Sequence, residues 1–191
     1  MKITILSGAT RESSHSTSIA KRLEKKFYEI QEDLDIVLID NRKLRLPVYD
    51  NFENLTNEEK DRLDAISGTF FSSDALIIVS PEYNGGMAGG LKNTLDYFRK
   101  EYEWRPMGLV SVTSGTLGGQ NAMNQMAAFA SYVGACLAPT RLMVSQVQEV
   151  VNHPHSAESV RFEKNAEKFC SDLLRFAQII KNGMLNYSLV K

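Results

Sequence analysis

Residues 9 to 18 read ATRESSHSTS: one arginine, one glutamate and one histidine stand among seven small residues, six of which carry a hydroxyl. Hydroxyls and a planar guanidinium are donors with which a protein can hold a phosphate. A helix beginning near residues 16 to 18 would add its unpaired backbone N–H groups and the positive end of its dipole. Thr10, Arg11, Ser13, Ser14, Ser16, Thr17 and Ser18 are therefore candidate phosphate ligands. Not all the hydroxyls can reach one phosphate, so some must cap the helix or face solvent, and Glu12 should point away. The competing reading is a solvated turn, since Ser and Thr are common in turns and at N-caps. Neither GxxxxGK[ST] nor GxGxxG is present, because SGATRESS supplies only Gly8. Arginine plus hydroxyls suits a terminal phosphate monoester, which offers three oxygens and about two negative charges.

A second stretch, SPEYNGGMAGGLKNTLDYF at 80 to 98, holds Pro81, Tyr83, Asn84 and four of the chain's 12 glycines, at 85, 86, 89 and 90. Glycine permits positive φ and close approach of backbone amides to a ligand. Such a backbone can address the polar edge of a flat heteroaromatic ring. The alternative is a plain strand-to-helix turn, for which one or two glycines suffice.

Both stretches must be held by a frame, and the frame is legible in the apolar runs ITIL (3 to 6), IVLI (36 to 39), ALIIV (75 to 79), GLVSV (108 to 112) and TRLMV (140 to 144). They are continuous rather than alternating, as in strands buried on both faces of a parallel sheet. Helical spacing fills the gaps. Ile19, Leu23, Phe27 and Ile30 recur at threes and fours within 17 to 30, and TNEE at 56 to 59 has the form of a capping box. Further helices are expected over about 90 to 100, 120 to 133 and 156 to 181. Alternating strands and helices predict an α/β three-layer sandwich with a five-stranded parallel sheet of order 2-1-3-4-5. In that order the helices after strands 1 and 3 pass to opposite faces, opening a ligand crevice at the strands' carboxyl ends. The two stretches are the loops that border it.

Composition narrows the partners. The 191 residues, 43% hydrophobic, suit one domain spanning 1 to 191. With 22 Lys plus Arg against 23 Asp plus Glu, there is no general attraction to nucleic acid or acidic membranes, so an anion site must be local. Cys136 and Cys170 lie far apart and form no CxxC pattern; both are expected to be buried thiols. The run ITIL is too short for a signal-peptide core and no window approaches the ~20 apolar residues of a membrane span. A soluble cytoplasmic protein is the expectation.

The segments G-A-T-R-x-x-S at 8 to 14, LPVYD at 46 to 50 and PEYNGGMAGGLKNTLDYF at 81 to 98 resemble the NADPH-dependent FMN reductase family, which includes quinone, azo-dye and chromate reductases. The resemblance spans about residues 1 to 180 in element order, and PEYN…GxLKNxxD is its most specific part. It implies a flavodoxin-like fold, FMN as cofactor and NADPH or NADH as electron donor. It places Arg11, Ser14 and Ser16 at the FMN phosphate with Thr10 and Thr17 as helpers, and Pro81, Glu82, Tyr83, Asn84 and Gly85 along the isoalloxazine ring. It brings the loop TSGTLGGQNA at 113 to 122 toward the flavin, with Ser114, Gly115, Gly118 and Gly119 as candidates; a glycine-rich turn before a helix explains them nearly as well. The chain departs from the usual GSxRxxSxN at Ala9 and Ser16, which leaves open which hydroxyl replaces the missing serine; Thr10 and Thr17 lead.

No nucleophile or catalytic dyad is required, because a flavin carries the chemistry; Glu82 could act electrostatically near the nicotinamide or substrate. The implied activity is transfer of hydride from NAD(P)H to a small-molecule acceptor: a quinone, an azo compound, a metal oxyanion or free flavin. The alternative is a flavodoxin-type one-electron carrier. Such carriers are usually strongly acidic with a TxTGNT-like first loop, whereas this chain is nearly neutral and has Arg11 there. Tyr97, Phe98, Tyr102 and Trp104 are expected in the core, with a homodimer interface, or that of a homotetramer, as the second reading. HPH at 153 to 155 lacks a third ligand and helical spacing for a metal, so both histidines should be solvated.

Overall fold

The alternation of side chains along each strand sorts them into two cores. Ile3, Ile5, Ile77, Val79, Val110 and Val112 fill one, whereas Leu6, Leu76, Ile78, Met107 and Leu109 fill the other. In the computed structural model, which describes residues 1–50 and 54–188 with side chains through 185, helices cover both faces of the sheet.

The strands are β1 (Lys2–Ser7), β2 (Asp35–Asp40), β3 (Ala75–Tyr83), β4 (Gly86–Met87), β5 (Pro106–Val112), β6 (Cys136–Leu137) and β7 (Leu142–Val144). The helices are α1 (His15–Ile30), α2 (Asn41–Leu44), α3 (Asn57–Ser72), α4 (Gly89–Asp96), α5 (Gln120–Tyr132), α6 (Val147–Asn152) and α7 (Ala157–Ser188). The sheet runs β2-β1-β3-β5-β6, with β7 also pairing with β5 and β4 with β3. All pairings are parallel except β3 with β4. Counting sheet positions rather than strands, this is the expected 2-1-3-4-5 order with two additions.

One addition lies at the fifth position, where two short strands stand in place of one run over 140 to 144. The Ala138 N–H donates to Met107 O at 2.9 Å, but Pro139 has no N–H to continue the ladder. Pairing resumes at Leu142 opposite Val110. The other addition is β4. Residues 80 to 83, expected in a loop, continue β3: Ser80 and Pro81 pair with Ser111 and Val112, and Glu82 and Tyr83 pair back with Met87 and Gly86.

The capping box forms as the sequence indicates. Thr56 Oγ1 accepts from the Glu59 N–H at 3.3 Å while Glu59 Oε2 accepts from the Thr56 N–H at 2.8 Å. The helix expected over 90 to 100 ends earlier, at Asp96, as bonds from Tyr97 to Thr94 and Phe98 to Leu95 tighten the chain into a turn that delivers Tyr97, Phe98 and Tyr102 to the core. Trp104 does not follow them; it is 67% exposed, with φ 58°. Cys170 is buried and its thiol is pushed far up by desolvation, whereas Cys136 is only half-buried, held at the sheet edge where β6 is short. His153 and His155 are exposed. Among the described residues, no helix is long and apolar enough to cross a membrane.

The consequence for function lies in the handedness of the connections. The apolar side chains of α1 join one core and those of α4 the other, so the chain leaves adjacent β1 and β3 in opposite directions. A crevice must open between their carboxyl ends.

Candidate functional site

The crevice is a cleft of about 260 Å³ whose lining includes Arg11, Ser14, Ser16, Glu82, Tyr83 and Ser114. Most of its lining comes from the loop after β1, the end of β3 and the junction of β5 with the loop that follows it. Each is positioned by local chemistry that the sequence specifies.

The first loop ends in a cap: Ser14 Oγ accepts from the Ser16 N–H at 3.2 Å, fixing the start of α1. Its proton can still be donated outward. Thr17 Oγ1 lies 3.0 Å from Ser7 Oγ, so that hydroxyl braces the loop against the end of β1. Thr10 turns its methyl to Gly90, where a Cβ would fall 2.5 Å from Thr10 Cγ2. Arg11 projects across the cleft mouth with its guanidinium carbon 4.4 Å from the Tyr83 ring centroid. Glu12 is exposed and outside the cleft lining, as the first loop requires if it is to hold an anion.

The second loop is a two-residue hairpin. Asn84 and Gly85 have φ 49° and 75°, and Tyr83 pairs with Gly86 across them. Left-handed conformation at both central residues belongs to the hairpin turn for which Asn-Gly is the favoured sequence. Two of the other glycines serve packing, Gly86 against the Gln125 amide and Gly90 against Thr10, whereas a Cβ at Gly89 would meet nothing within 4 Å. Glycine richness here thus has a conformational cause in addition to any approach of a ligand.

In the third loop, Gly118 and Gly119 have φ 67° and 77° and are buried. Gly118 O accepts from Ser111 Oγ at 2.6 Å, and Gly119 forms the N-cap of α5. Gly115 is exposed, its carbonyl accepting from the Gln146 N–H at 3.0 Å. The turn-before-a-helix reading therefore accounts for Gly118 and Gly119, while Ser114 reaches the cleft.

Of the residues singled out in the sequence, Arg11, Ser13, Ser14, Ser16, Pro81, Glu82, Tyr83 and Ser114 converge on the cleft; Thr10, Thr17, Ser18, Asn84, Gly85, Gly115, Gly118 and Gly119 are outside its lining. Sequence reasoning assigned nothing to His15, Thr113, Val147 or Gln148, which also line it. His15 and Thr113 lie inside the stretches already inspected. Val147 and Gln148 arrive through Gln146, a left-handed residue with φ 46° in a segment without a motif.

Glu82 has a definite occupation. Its Oε2 accepts from the backbone N–H groups of Asn121 and Ala122 at 2.8 and 3.0 Å, at the positive end of α5. The motif residue Asn93 is likewise a brace: its Nδ2 donates to Pro47 O at 2.8 Å and its Oδ1 accepts from the Tyr49 N–H at 2.7 Å. LPVYD and GLKN, distant in sequence, are thereby one structural unit.

Residues 1–149 match the model of the family described as NADPH-dependent FMN reductase. The chain belongs to that family. Among curated relatives, an NADPH azoreductase of Bacillus sp. (strain OY1-2) is 28% identical over 145 residues, covering 75% of this chain and 76% of its own length. An FMN-dependent NADPH-azoreductase of Staphylococcus saprophyticus is 22% identical over 181 residues, 93% of this chain and 96% of its own. Among solved structures, a flavoenzyme NAD(P)H:(acceptor) oxidoreductase from Paracoccus denitrificans superposes with a TM-score of 0.70 at 16% identity, covering 91% of this chain and 97% of its own. An oxidoreductase from Corynebacterium diphtheriae gives 0.72 at 17%, covering 95% and 97%. These likenesses establish the flavodoxin-like fold of this FMN reductase family member.

Proposed function

We propose that this chain is an FMN-dependent oxidoreductase that takes hydride from NADPH or NADH and delivers electrons to a small-molecule acceptor, whether a quinone, an azo compound, a metal oxyanion or free flavin. Family membership and the position of the cleft between β1 and β3 support this reading. The observation that carries it is the donor set at one end of that cleft: the Arg11 guanidinium, the capped start of α1 and the hydroxyls of Ser14 and Ser16.

That set fits a phosphate monoester. The one carboxylate in the cleft lining, that of Glu82, is turned to the amides of α5. A phosphate near Arg11 would meet donors and no opposing charge. The backbone of Pro81 to Gly85 would then face the ring edge, and Ser114 the chain between ring and phosphate. FMN, when bound, supplies hydride and electron transfer, which side chains alone do not provide. The residues of this chain hold the phosphate, orient the ring and shield its inner face; no proton transfer by a side chain is demanded.

A homodimer belongs to the same reading. A groove of about 890 Å³ runs between α4 and α5, and Tyr97, Phe98, Phe129 and the 76%-exposed Tyr132 are among its lining. An aromatic groove of that size beside the hairpin suits a second copy of this chain, whose mass in solution light scattering would report. A cytoplasmic location matches the supply of reduced nicotinamide.

The deciding experiment is the visible absorbance of the purified protein, followed by release and identification of its flavin. Bound FMN and steady oxidation of NADPH or NADH with a quinone or azo dye are expected. A colourless protein that also fails to bind added FMN overturns the reading. FMN bound without turnover, with a stable one-electron-reduced form, favours the electron carrier instead.

A further inference from the structure

One rung of the β3–β4 hairpin is fastened to a single helix at both of its residues. Glu82 and Met87 are register partners. Glu82 Oε2 accepts from the Asn121 and Ala122 N–H groups at 2.8 and 3.0 Å, and the Met87 N–H donates to Gln125 Oε1 at 3.0 Å. Asn121 and Gln125 are one turn apart on α5. Gly86 lies so close to Gln125 that a Cβ there would fall 2.9 Å from Gln125 Oε1. Beyond this rung only Tyr83, Asn84, Gly85 and Gly86 remain, forming the tip of the hairpin.

An isolated two-stranded hairpin is marginal in water, and this one makes a single rung beyond its fastened pair. Its tip therefore takes its position from α5. The carboxylate grip is charge-assisted, since both donors sit at the positive end of the helix dipole. We propose that Glu82 is a positioning residue: by gripping the start of α5, together with Gln125, it sets the backbone of residues 83 to 86 against which the flavin ring rests. This rests on the FMN reading above. It assigns Glu82 to the ring's platform rather than to the ring, nicotinamide or acceptor itself.

The roles separate by variant and by ligand. Glu82→Ala removes the acceptor; Glu82→Gln keeps an oxygen acceptor and removes the charge. Glu82→Ala is expected to weaken FMN and riboflavin binding alike by about tenfold, because the loss is at the ring end, and to alter the circular dichroism of the bound flavin band. Glu82→Gln is expected to stay within about threefold of wild type. Gln125→Leu reads the second fastening, with a smaller loss of both flavins, should Glu82→Ala not fold. The proposal is overturned by wild-type riboflavin affinity and an unaltered flavin spectrum in Glu82→Ala, or in Gln125→Leu where that variant must serve. It is overturned equally by a loss in Glu82→Gln as large as in Glu82→Ala, which would make the charge itself what the flavin needs. Absence of flavin binding by the wild-type protein would fail the functional reading instead.

Discussion

The Arg11 guanidinium carbon stands 4.4 Å from the centroid of the Tyr83 ring, joining the loop after β1 to the end of β3 across the cleft. A cation over a ring face is attracted by the ring's quadrupole, which holds the guanidinium at the cleft mouth. Tyr83 thus pre-orients the cation for an anion. Replacing Tyr83 with Leu removes the ring's electrostatic contribution of about 0.5–1 kcal/mol, so FMN affinity should fall two- to fivefold by about the same energy. Calorimetric titration of wild type and Tyr83→Leu with FMN measures this; equal affinities would mean that the stack does not prepare Arg11.

Arg11 itself should matter more, and in a ligand-specific way. A hydrogen bond to a charged group contributes about 1.5–3 kcal/mol, so Arg11→Ala should weaken FMN binding at least ~tenfold. Riboflavin, which has no phosphate, should bind the variant as it binds wild type. A parallel loss of riboflavin affinity would place Arg11 at the ring rather than the phosphate.

The hairpin tip changes what a glycine substitution can report. Gly85 has φ 75°, and a Cβ added to it would meet only Asn121 Nδ2, at 3.8 Å. A β-branched residue is strained there whatever the space, at about 1–3 kcal/mol, so Gly85→Val should lower both stability and flavin affinity. Asparagine tolerates the left-handed region. Gly85→Asn should therefore keep a near-wild-type melting temperature and most of the FMN affinity, as thermal melts with and without FMN would show.

The sheet order and the cleft's location were legible because long apolar runs and helical spacing are repeated, redundant signals. Thr56 and Glu59 likewise announced a helix start that the structure contains. What escaped depends on single residues or on tertiary fit. Pro139 divides the last sheet position, and the continuation of β3 through Pro81 to Tyr83 reads as a loop because glycines follow it. Asn84 and Gly85 formed a recognisable turn pair that their neighbours Gly86, Gly89 and Gly90 obscured. The partners of the Glu82 carboxylate were not legible because nothing local reveals that the first turn of α5, about 40 residues on, supplies them.

The capping box gives a pH dependence with a definite sign. The Thr56 backbone N–H, and then its hydroxyl, hold the Glu59 carboxyl below its ordinary range. A folded-state pKa below the unfolded value of about 4.3 favours folding when the group is ionised. That contribution is present above the unfolded pKa and is lost as pH falls through the folded one. Glu59→Ala should accordingly lower the melting temperature at pH 7, and its gap from wild type should narrow as pH drops below about 4.3. A gap constant down to pH 3 would assign the effect to helix propensity instead.

Gly8 tests whether the first loop depends on α4 as closely as the packing indicates. Its N–H donates to Val79 O at 2.8 Å, carrying the β1–β3 ladder into the loop, and a Cβ there would fall 2.6 Å from Leu91 Cδ2 and 2.8 Å from Leu91 Cβ. The near approach to Leu91 Cβ means that rotation of the leucine cannot relieve the clash, so the loop or α4 must move. Gly8→Ala should cost about 1–3 kcal/mol, the usual range for overpacking, and should weaken FMN binding because Arg11 lies three residues further along the displaced loop. Leu91→Ala alone should cost about 2–5 kcal/mol by leaving a cavity. In the double variant the new methyl occupies part of that cavity, so the total should be less than the sum, as expected for side chains in contact. Denaturant melts of the four proteins give the coupling directly, and strict additivity would mean that the clash is with the Leu91 Cβ, which alanine retains, and not with the methyl groups it removes.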